Sequence, residues 1–181
     1  MALVFATFNI CGLNDVSKQI QVKMLAMQYK LDVLFLQEHN VRDRSRIRYL
    51  EDYFDIILNE PDCFKGGTCL LLNKNSNIEI LSIEKDDEGH VLCVRVKYLG
   101  EKLTLINIYA PSGNNKKAER ENLFYNDIVY YLRNNISNAI MAGDFNCVVS
   151  ARDVSTGKET SVSKALSSLV KQLSLKDAWF R

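Results

Sequence analysis

Residues 139–147, AIMAGDFNC, place a carboxylate and an amide directly after an apolar run. The first four residues predict a buried strand, and Gly143 allows the backbone to turn. Side chains two residues apart on a strand lie on the same side of it. If the extended geometry continues through Phe145, Asp144 and Asn146 lie together and the Phe145 ring points into the core. A carboxylate accepts protons or binds cations, and an amide donates and accepts hydrogen bonds. The same residues are also typical of an ordinary strand-to-turn exit.

Polar residues also mark the ends of three other apolar runs. Asn9 and Glu38 each follow such a run, and Tyr109 ends a third, with Asn107 two residues earlier. A glutamate directly after a buried strand is poorly tolerated unless it is paired or binds a cation. Because sheets gather the ends of their strands at one edge, where ligand sites usually lie, we expect these side chains to meet the first carboxylate and amide there.

Two carboxylates, two amides and a phenol form a set of oxygen-rich side chains that suits Mg²⁺. This ion takes oxygen ligands and commonly binds through one or two carboxylates together with a substrate phosphate. Such a set fits phosphoester hydrolysis, in which the cation neutralises phosphoryl charge, a carboxylate directs water and neutral donors hold phosphate oxygens.

The elements that would position these residues alternate between strands and helices, which predicts helices covering a sheet. Strands are expected at 3–8, 32–37, 68–72, 78–83, 91–98, 103–109 and 139–142, with a hairpin joining the fifth and sixth. Helices are expected to begin after residue 15, to cover 41–54 and 119–133, and to begin again after residue 163.

Two of these helices have recognisable caps and apolar faces. Asn14 or Asp15 can cap the first helix, and Ser163 can cap the last. In the first helix the spacing of four, three and four residues predicts one buried face, formed by Ile20, Met24, Met27 and Leu31. In the last helix the residues expected to face inward are Leu166, Leu169, Val170 and Leu173.

Composition narrows the class of protein. The length of 181 residues predicts a single domain over residues 1–181. The formal net charge is +1, so any binding of nucleic acid would depend on local basic patches. Five cysteines without a C-x-x-C pair favour reduced thiols in a cytosolic or nuclear protein. The apolar N-terminus lacks a basic flank and is too short to span a membrane, so it is interpreted as the first strand.

Four motifs, in this order, resemble those of the endonuclease/exonuclease/phosphatase superfamily, which includes the apurinic/apyrimidinic endonucleases, deoxyribonuclease I and exonuclease III. They are TFN at 7–9, LQE at 36–38, NIYAPS at 107–112 and GDFN at 143–146. IYAPS followed by a helix and then MAGDFN is most similar to the endonuclease domain of LINE-type (non-LTR) retrotransposons. The resemblance implies an α/β fold, a four-layer α/β/β/α sandwich of the deoxyribonuclease I-like type.

The resemblance also implies a role for each motif residue. Glu38 matches the glutamate that binds the metal, Mg²⁺ or alternatively Mn²⁺, and Asn9 matches an asparagine of the metal and phosphate site. Tyr109 matches a tyrosine whose hydroxyl contacts the scissile phosphate. Asp144 matches the aspartate that orients the attacking water, and Asn146 matches the amide that holds phosphate and carboxylate in place.

The chain departs from the family after Asp144. The family continues with further strands, an aspartate in an R-I-D-like strand and a terminal S-D-H motif, and nothing here matches them. The two histidines, His39 and His90, lie elsewhere in the sequence, although His39 could line the edge of the sheet. We therefore expect a sandwich that is incomplete at its C-terminus, a weak or inactive nuclease, and a monomer or a swapped dimer.

The expected function is Mg²⁺-dependent nicking of double-stranded DNA in the nucleus. The nick would leave a 3′-hydroxyl for a reverse transcriptase domain of the same polyprotein. Alternatives are a phosphatase or phosphodiesterase acting on inositol or lipid phosphates, and a non-catalytic DNA- or protein-binding module. Trp179 is expected in the core. The candidate DNA contacts are Lys116, Lys117, Arg120 and Arg152. Each of these basic side chains could instead be simply exposed to solvent.

Overall fold

The computed structural model describes residues 2–61, 65–132, 138–153 and 162–178. The chain divides into two compact units, Met1–Tyr109 with Ser137–Asp144, and Ala110–Ile136 with Phe145–Arg181. Cys63 and Trp179 lie outside the described residues, so the expected core position of Trp179 stays a prediction. The single domain over residues 1–181 also stays a prediction. No helix of the described parts is long and apolar enough to cross a membrane.

The first sheet of the first unit has four strands in the order β1-β2-β4-β3. They are β1 Phe5–Asn9, β2 Val33–Gln37, β3 Phe54–Asn59 and β4 Thr68–Asn73. β1 and β2 are parallel, and the other two pairs are antiparallel. The sequence pattern missed β3, because its apolar residues directly follow a polar stretch that was interpreted as a helix.

The second sheet has the order β5-β6-β7-β8. It consists of β5 Glu79–Lys85, β6 Val91–Tyr98, β7 Glu101–Tyr109 and β8 Ala139–Asp144. The predicted hairpin of β6 and β7 is confirmed, and both residues of its two-residue turn have positive φ, as hairpin turns of this length require. β7 and β8 are parallel, so each sheet contains one parallel pair at its edge.

The two sheets pack face to face through apolar side chains. Residues of alternate positions on the inner faces form one buried cluster, which includes Val33, Phe35, Leu70, Leu72, Leu92, Val94 and Leu105. A second cluster lies on the outer face of the first sheet, under α1 Val16–Tyr29 and α2 Arg48–Glu51. The first sheet is therefore covered on both faces, as expected when helices pack on a sheet.

The apolar face predicted for α1 is wrong. α1 instead buries Gln19, Val22 and Ala26. Gln19 sets this rotation, because its Nε2 donates to the carbonyl oxygens of Leu13 at 2.9 Å and Arg46 at 2.7 Å inside the protein. Leu31 is buried as predicted, beyond the end of the helix, whereas the exposed fractions are 44 % for Ile20, 64 % for Met24 and 55 % for Met27.

The helix caps are as predicted. Asp15 Oδ1 accepts from the backbone N–H groups of Ser17 at 2.7 Å and Lys18 at 3.3 Å at the start of α1. Ser163 Oγ accepts from Leu166 N at 3.2 Å at the start of α5, Lys164–Gln172, in the second unit. The inward-facing apolar residues predicted for α5 are buried or half-buried.

The helix predicted over 119–133 corresponds to a continuous helical stretch of the second unit. It comprises α3 Lys117–Asn122, a π-helical segment Leu123–Asp127 and α4 Ile128–Leu132. The helix predicted over 41–54 is wrong in length. That stretch holds a 3₁₀ turn, Arg44–Ile47, and the short α2, and Phe54 already belongs to β3.

The burial predicted for the first and last strands is also wrong. β1 and β8 are half-exposed, although their sequences are as apolar as those of central strands. Each is the outermost strand of its sheet in the part of the chain that the structure describes, so one side of each strand has no neighbour from that sheet. The apolar sequences of β1 and β8 therefore predict correctly that they are strands but wrongly that they are buried.

Candidate active site

Four of the predicted site residues meet at one edge of the two packed sheets. Asn9, Tyr109 and Asp144 are the last residues of β1, β7 and β8, and Glu38 directly follows β2. Parallel pairing brings the carboxyl ends of β1 and β2 together, and likewise those of β7 and β8, where Tyr109 is paired with Asp144. All four side chains are half-buried, so the cluster is ordered by the protein and still reachable from solvent.

A small hydrogen-bond network joins these side chains. Glu38 Oε1 accepts from Asn9 Nδ2 at 2.7 Å and from the Tyr109 hydroxyl at 2.9 Å. Asn9 Nδ2 also donates to Asp144 Oδ2 at 3.2 Å. One neutral amide thus links two carboxylates, which lets both remain close together without direct contact between like charges.

The backbone of residue 11 fixes the orientation of the Asn9 amide. Asn9 Oδ1 accepts from Cys11 N at 3.1 Å, so its oxygen faces that N–H group and its NH₂ group faces the carboxylates. This arrangement favours a supporting role for Asn9 over direct coordination of a cation by its oxygen. The residue type at position 11 gives no sequence signal for this contact, because the donor is a main-chain group.

Glu38 has a left-handed backbone conformation, with φ of 55°. This region costs an L-residue other than glycine about 1–2 kcal/mol. Two main-chain hydrogen bonds from the segment after β1 hold it: Gly12 N donates to the Glu38 carbonyl at 2.6 Å, and Leu13 N donates to the His39 carbonyl at 2.8 Å. Such strain is found at functional sites, where the surrounding structure enforces it.

His39 does not line the edge of the sheet, contrary to expectation. It is fully buried. Its Nδ1 accepts from Val41 N at 3.0 Å, so Nε2 carries the proton and donates to the Asn59 carbonyl at 3.1 Å. Burial lowers the pKa of His39, because the charged imidazolium would lose its hydration. His39 therefore anchors the chain just after Glu38 as a neutral group.

His90 lies near the site without joining its hydrogen-bond network. Its ring centroid is 6.4 Å from that of Tyr109, and its carbonyl accepts from Tyr109 N at 2.8 Å. Its Nδ1 is 3.2 Å from Glu88 Oε2. Within the described residues, neither His39 nor His90 hydrogen-bonds to the carboxylates of the site.

The Tyr109 phenol is kept in its protonated form. Burial, then the hydrogen bond and negative charge of Glu38, raise the pKa of Tyr109 well above its ordinary value of 10.0. The hydroxyl therefore remains a hydrogen-bond donor over the whole neutral range, and a phenolate acting as a base is excluded there.

The donor set fits a hard divalent cation. Glu38 Oε2 accepts no hydrogen bond from the part of the chain that the structure describes, while Oε1 of the same carboxylate accepts two. The described ranges contain no group of three or more His, Cys, Asp or Glu residues suited to hold a metal. One or two carboxylates completed by substrate and water is the coordination typical of Mg²⁺, and Glu38 and Asp144 could supply it.

Gly143 allows β8 to carry Asp144 into this cluster. Its φ is 148°, and a Cβ atom built there would lie 2.0 Å from the Ile108 carbonyl oxygen and 2.7 Å from Ile108 N. Any larger residue would separate β8 from β7 at the register position just before the Tyr109–Asp144 pair. The requirement for glycine in this motif is thus steric.

Asn146, the fifth residue predicted for the site, belongs to the second unit. β8 ends at Asp144, and Asn146 has a left-handed φ of 49°, so the expected extension through Phe145 is wrong. Asn146 Nδ2 donates to the Ala110 carbonyl at 2.7 Å. Phe145 is half-buried, with its ring centroid 6.3 Å from that of Phe124.

The basic candidates of the second unit have protein partners. Lys116 Nζ lies 2.6 and 2.8 Å from the carboxylate oxygens of Glu119, and Arg120 donates to the carbonyls of Pro111 at 2.6 Å and Gly113 at 3.2 Å. Arg120 therefore orders the turn after β7. A cleft of about 310 Å³ is lined by Asn114, Lys117, Arg120, Glu121, Cys147, Val162 and Ser163. DNA contacts of these side chains and of the exposed Arg152 stay predictions.

Comparison with known proteins identifies the family. The chain belongs to the Endonuclease/Exonuclease/phosphatase family, whose model matches residues 6–179. The resemblance found in the four motifs is therefore confirmed.

One relative agrees with this family assignment. The "Transposon TX1 uncharacterized 149 kDa protein" of Xenopus laevis is 29% identical over 183 residues, which cover 99% of this chain and 14% of that protein. This chain thus spans about one seventh of the length of that relative.

Two solved structures share the fold. An AP endonuclease from Archaeoglobus fulgidus has a TM-score of 0.68 at 19% identity, over 95% of this chain and 70% of that one. TDP2 of D. rerio, complexed with a single-strand DNA product, has a TM-score of 0.65 at 20% identity, over 97% of this chain and 66% of that one. The fold is therefore mixed α/β with two sheets and helices, of the type found in deoxyribonuclease I-like enzymes.

Proposed function

We propose that this chain is a divalent-metal-dependent phosphodiesterase that nicks double-stranded DNA. The observation that carries the proposal is the cluster at the strand ends, in which one amide links the carboxylates of Glu38 and Asp144 and a protonated phenol donates to the first. Two carboxylates with neutral donors suit phosphoryl transfer by water. The description of the family includes endonucleases and exonucleases, which supports hydrolysis of a phosphodiester bond.

Each side chain has a distinct task in the proposed mechanism. Glu38, through Oε2, would hold Mg²⁺, with Mn²⁺ as the alternative, and the ion would neutralise charge on the phosphate. Asp144 orients a water molecule toward phosphorus and accepts its proton as the new P–O bond forms and the bond between phosphorus and the 3′-oxygen breaks; the departing 3′-oxygen takes a proton from solvent. When the phosphate binds, Tyr109 redirects its one hydroxyl hydrogen from Glu38 to a phosphate oxygen, and Asn9 keeps both carboxylates in place. The role that the resemblance implies for Asn146, which lies in the second unit, stays a prediction.

The biological role proposed here is cleavage of target DNA for insertion of a retrotransposon. Similarity to a transposon protein seven times longer supports a polyprotein context. In that context the nick would leave a 3′-hydroxyl that a reverse transcriptase domain of the same polyprotein extends, in the nucleus. Lys116, Lys117, Arg120 and Arg152 are the proposed contacts to the DNA backbone.

The direct test is a nicking assay on supercoiled plasmid with purified protein. We expect open-circular product with Mg²⁺, none with EDTA, and a loss of roughly 100-fold or more in Glu38→Gln and Asp144→Asn. Glu79→Gln, which changes an exposed carboxylate of β5, is the matched control and should retain activity. Equal nicking by the wild type and both site variants would refute the proposal.

Two rival functions have different outcomes in the same assay. Preferential release of phosphate from an inositol polyphosphate would favour a phosphatase, and DNA binding without any cut would favour a binding module. We expect a slow rate of nicking, because within the described residues neither His39 nor His90 hydrogen-bonds to the carboxylates of the site, where either could act as a general acid.

A further inference from the structure

Two buried polar side chains, Gln37 and Asn107, lie directly beneath the site in the interface between the two sheets. Gln37 and Asn107 are almost completely buried, at 1 and 0 % exposure. Gln37 Nε2 donates to Asn107 Oδ1 at 2.7 Å. Gln37 immediately precedes Glu38, and Asn107 lies two residues before Tyr109 on the same face of β7. The Gln37–Asn107 bond is thus one layer below the Glu38–Tyr109 bond.

Asn107 uses its whole amide group to join the sheets. In addition to accepting from Gln37, its Nδ2 donates to the carbonyl oxygens of Leu36 and Cys69, each at 2.9 Å. Leu36 and Cys69 face each other on β2 and β4. A single side chain of the second sheet therefore holds two neighbouring strands of the first sheet at one register position.

Apolar contacts by themselves cannot fix this register. Most of the inner faces is a cluster of aliphatic and aromatic side chains, and apolar burial is non-directional, so a small sliding of one sheet over the other costs it little. A second polar contact between the sheets, from Asn59 Nδ2 to the Val91 carbonyl at 2.9 Å, joins β3 to β6 and does not involve β7. Hydrogen bonds depend steeply on distance and angle. A buried amide left without its hydrogen bonds destabilises the folded state, so the Gln37–Asn107 pair favours one alignment of the sheets.

We propose that Gln37 and Asn107 are positioning residues, which set the separation of the Tyr109 hydroxyl and the Glu38 carboxylate by locking β7 to β2 and β4. Neither residue touches the proposed substrate, and their effect on catalysis passes through Glu38 and Tyr109. The catalytic part of this inference rests on the proposed phosphodiesterase function, whereas the structural part does not.

The first test follows Tyr109 itself and needs no activity. Protein with 3-fluorotyrosine at position 109 is compared by fluorine NMR at one neutral pH in the wild-type, Gln37→Leu and Asn107→Leu backgrounds. Separation of the phenol from Glu38 removes its hydrogen-bond acceptor, so we expect the fluorine resonance to move toward that of a solvent-exposed fluorotyrosine in both variants. Gln37→Leu leaves the two donor bonds of Asn107 intact and is the variant expected to fold most readily.

A matched control separates positioning from general loosening of the core. Leu105→Val alters a buried residue of the same face of β7, one layer further from the site, and removes volume without removing a hydrogen bond. We expect it to lower stability while leaving the fluorine resonance of position 109 unchanged. The same resonance position in the wild type and in both Gln37→Leu and Asn107→Leu would overturn the proposal, as would an equal displacement of the resonance in Leu105→Val.

The second test asks whether the catalytic effect passes through Tyr109. We expect Gln37→Leu to lower the kcat for nicking roughly 10-fold with little change in KM. In protein that already carries Tyr109→Phe, adding Gln37→Leu should lower kcat less than about twofold. Additive losses in the double variant would contradict the positioning role. If neither the wild type nor any variant nicks DNA, the proposed function fails, while the fluorine resonance still decides the structural claim.

Discussion

At the scale of single residues, the site depends on Tyr109 as a neutral donor. Tyr109→Phe removes only the hydroxyl that donates to Glu38 Oε1. We expect kcat to fall roughly 10–100-fold with little change in stability, because the donor is lost and the ring remains. Steady-state nicking kinetics measure this. Tyr125→Phe, an exposed tyrosine of the second unit, is the control, and an unchanged kcat in Tyr109→Phe would remove this residue from the mechanism.

His39 gives stability a pH dependence. Its folded-state pKa is below the ordinary value of 6.5 because the ring is buried, so the unfolded chain binds more protons than the folded one between the two values. The contribution of neutral His39 is therefore fully present above pH 6.5 and is lost as the pH falls through the folded-state value.

Urea unfolding at several pH values between 5 and 8 measures this contribution. We expect the free energy of unfolding of the wild type to decrease on acidification more than that of His39→Gln, whose side chain does not titrate. Ile47→Val, at a fully buried residue without a titratable group, is the control: it should lower stability and keep the wild-type dependence on pH. Identical slopes for the wild type and His39→Gln would show that His39 does not titrate on unfolding.

At the scale of elements, the close approach of β8 to β7 controls the position of Asp144. Gly143→Ala would force a Cβ atom against the backbone of Ile108. We expect a loss of stability well above the roughly 1 kcal/mol that a positive φ alone costs alanine, together with loss of nicking, because Asp144 moves with the strand. Chemical denaturation and the plasmid assay measure the two effects.

Gly100→Ala is the matched control for this prediction. Gly100 also has positive φ, but a Cβ atom there meets nothing within 4 Å. Its replacement should cost only the conformational term and leave nicking unchanged. Equal losses in the two variants would mean that the steric contact with Ile108 is not what requires glycine.

At the scale of the whole molecule, cation binding and folding are linked. A cation that binds only the folded protein raises the free energy of unfolding by about 2.7 kcal/mol at a concentration one hundred times its Kd. We expect Mg²⁺ to raise the Tm of the wild type and to have little effect on Glu38→Gln. Differential scanning calorimetry with and without Mg²⁺ tests this, and an equal rise in both proteins would place the bound cation elsewhere.

Strand ends were the part of the site that sequence reasoning could predict. Residues two apart on a strand share a face, and apolar runs end where polar residues begin, so Asn9, Glu38, Tyr109 and Asp144 were identified from local pattern. The same reasoning failed for α1. Ile20, Met24 and Met27 have the spacing of a buried face, and only the contacts of Gln19 with two distant carbonyls decided which side of the helix faces the core.

The sequence by itself determined which residue types lie at the ends of the strands, because secondary structure periodicity and turn residues act over a few positions. Tertiary structure alone decided the network among them. The left-handed conformation of Glu38, the orientation of the Asn9 amide by a backbone N–H, and the lock between Gln37 and Asn107 all join residues that are distant in the chain or involve main-chain groups. Such contacts depend on how two sheets align, and no local pattern encodes that alignment.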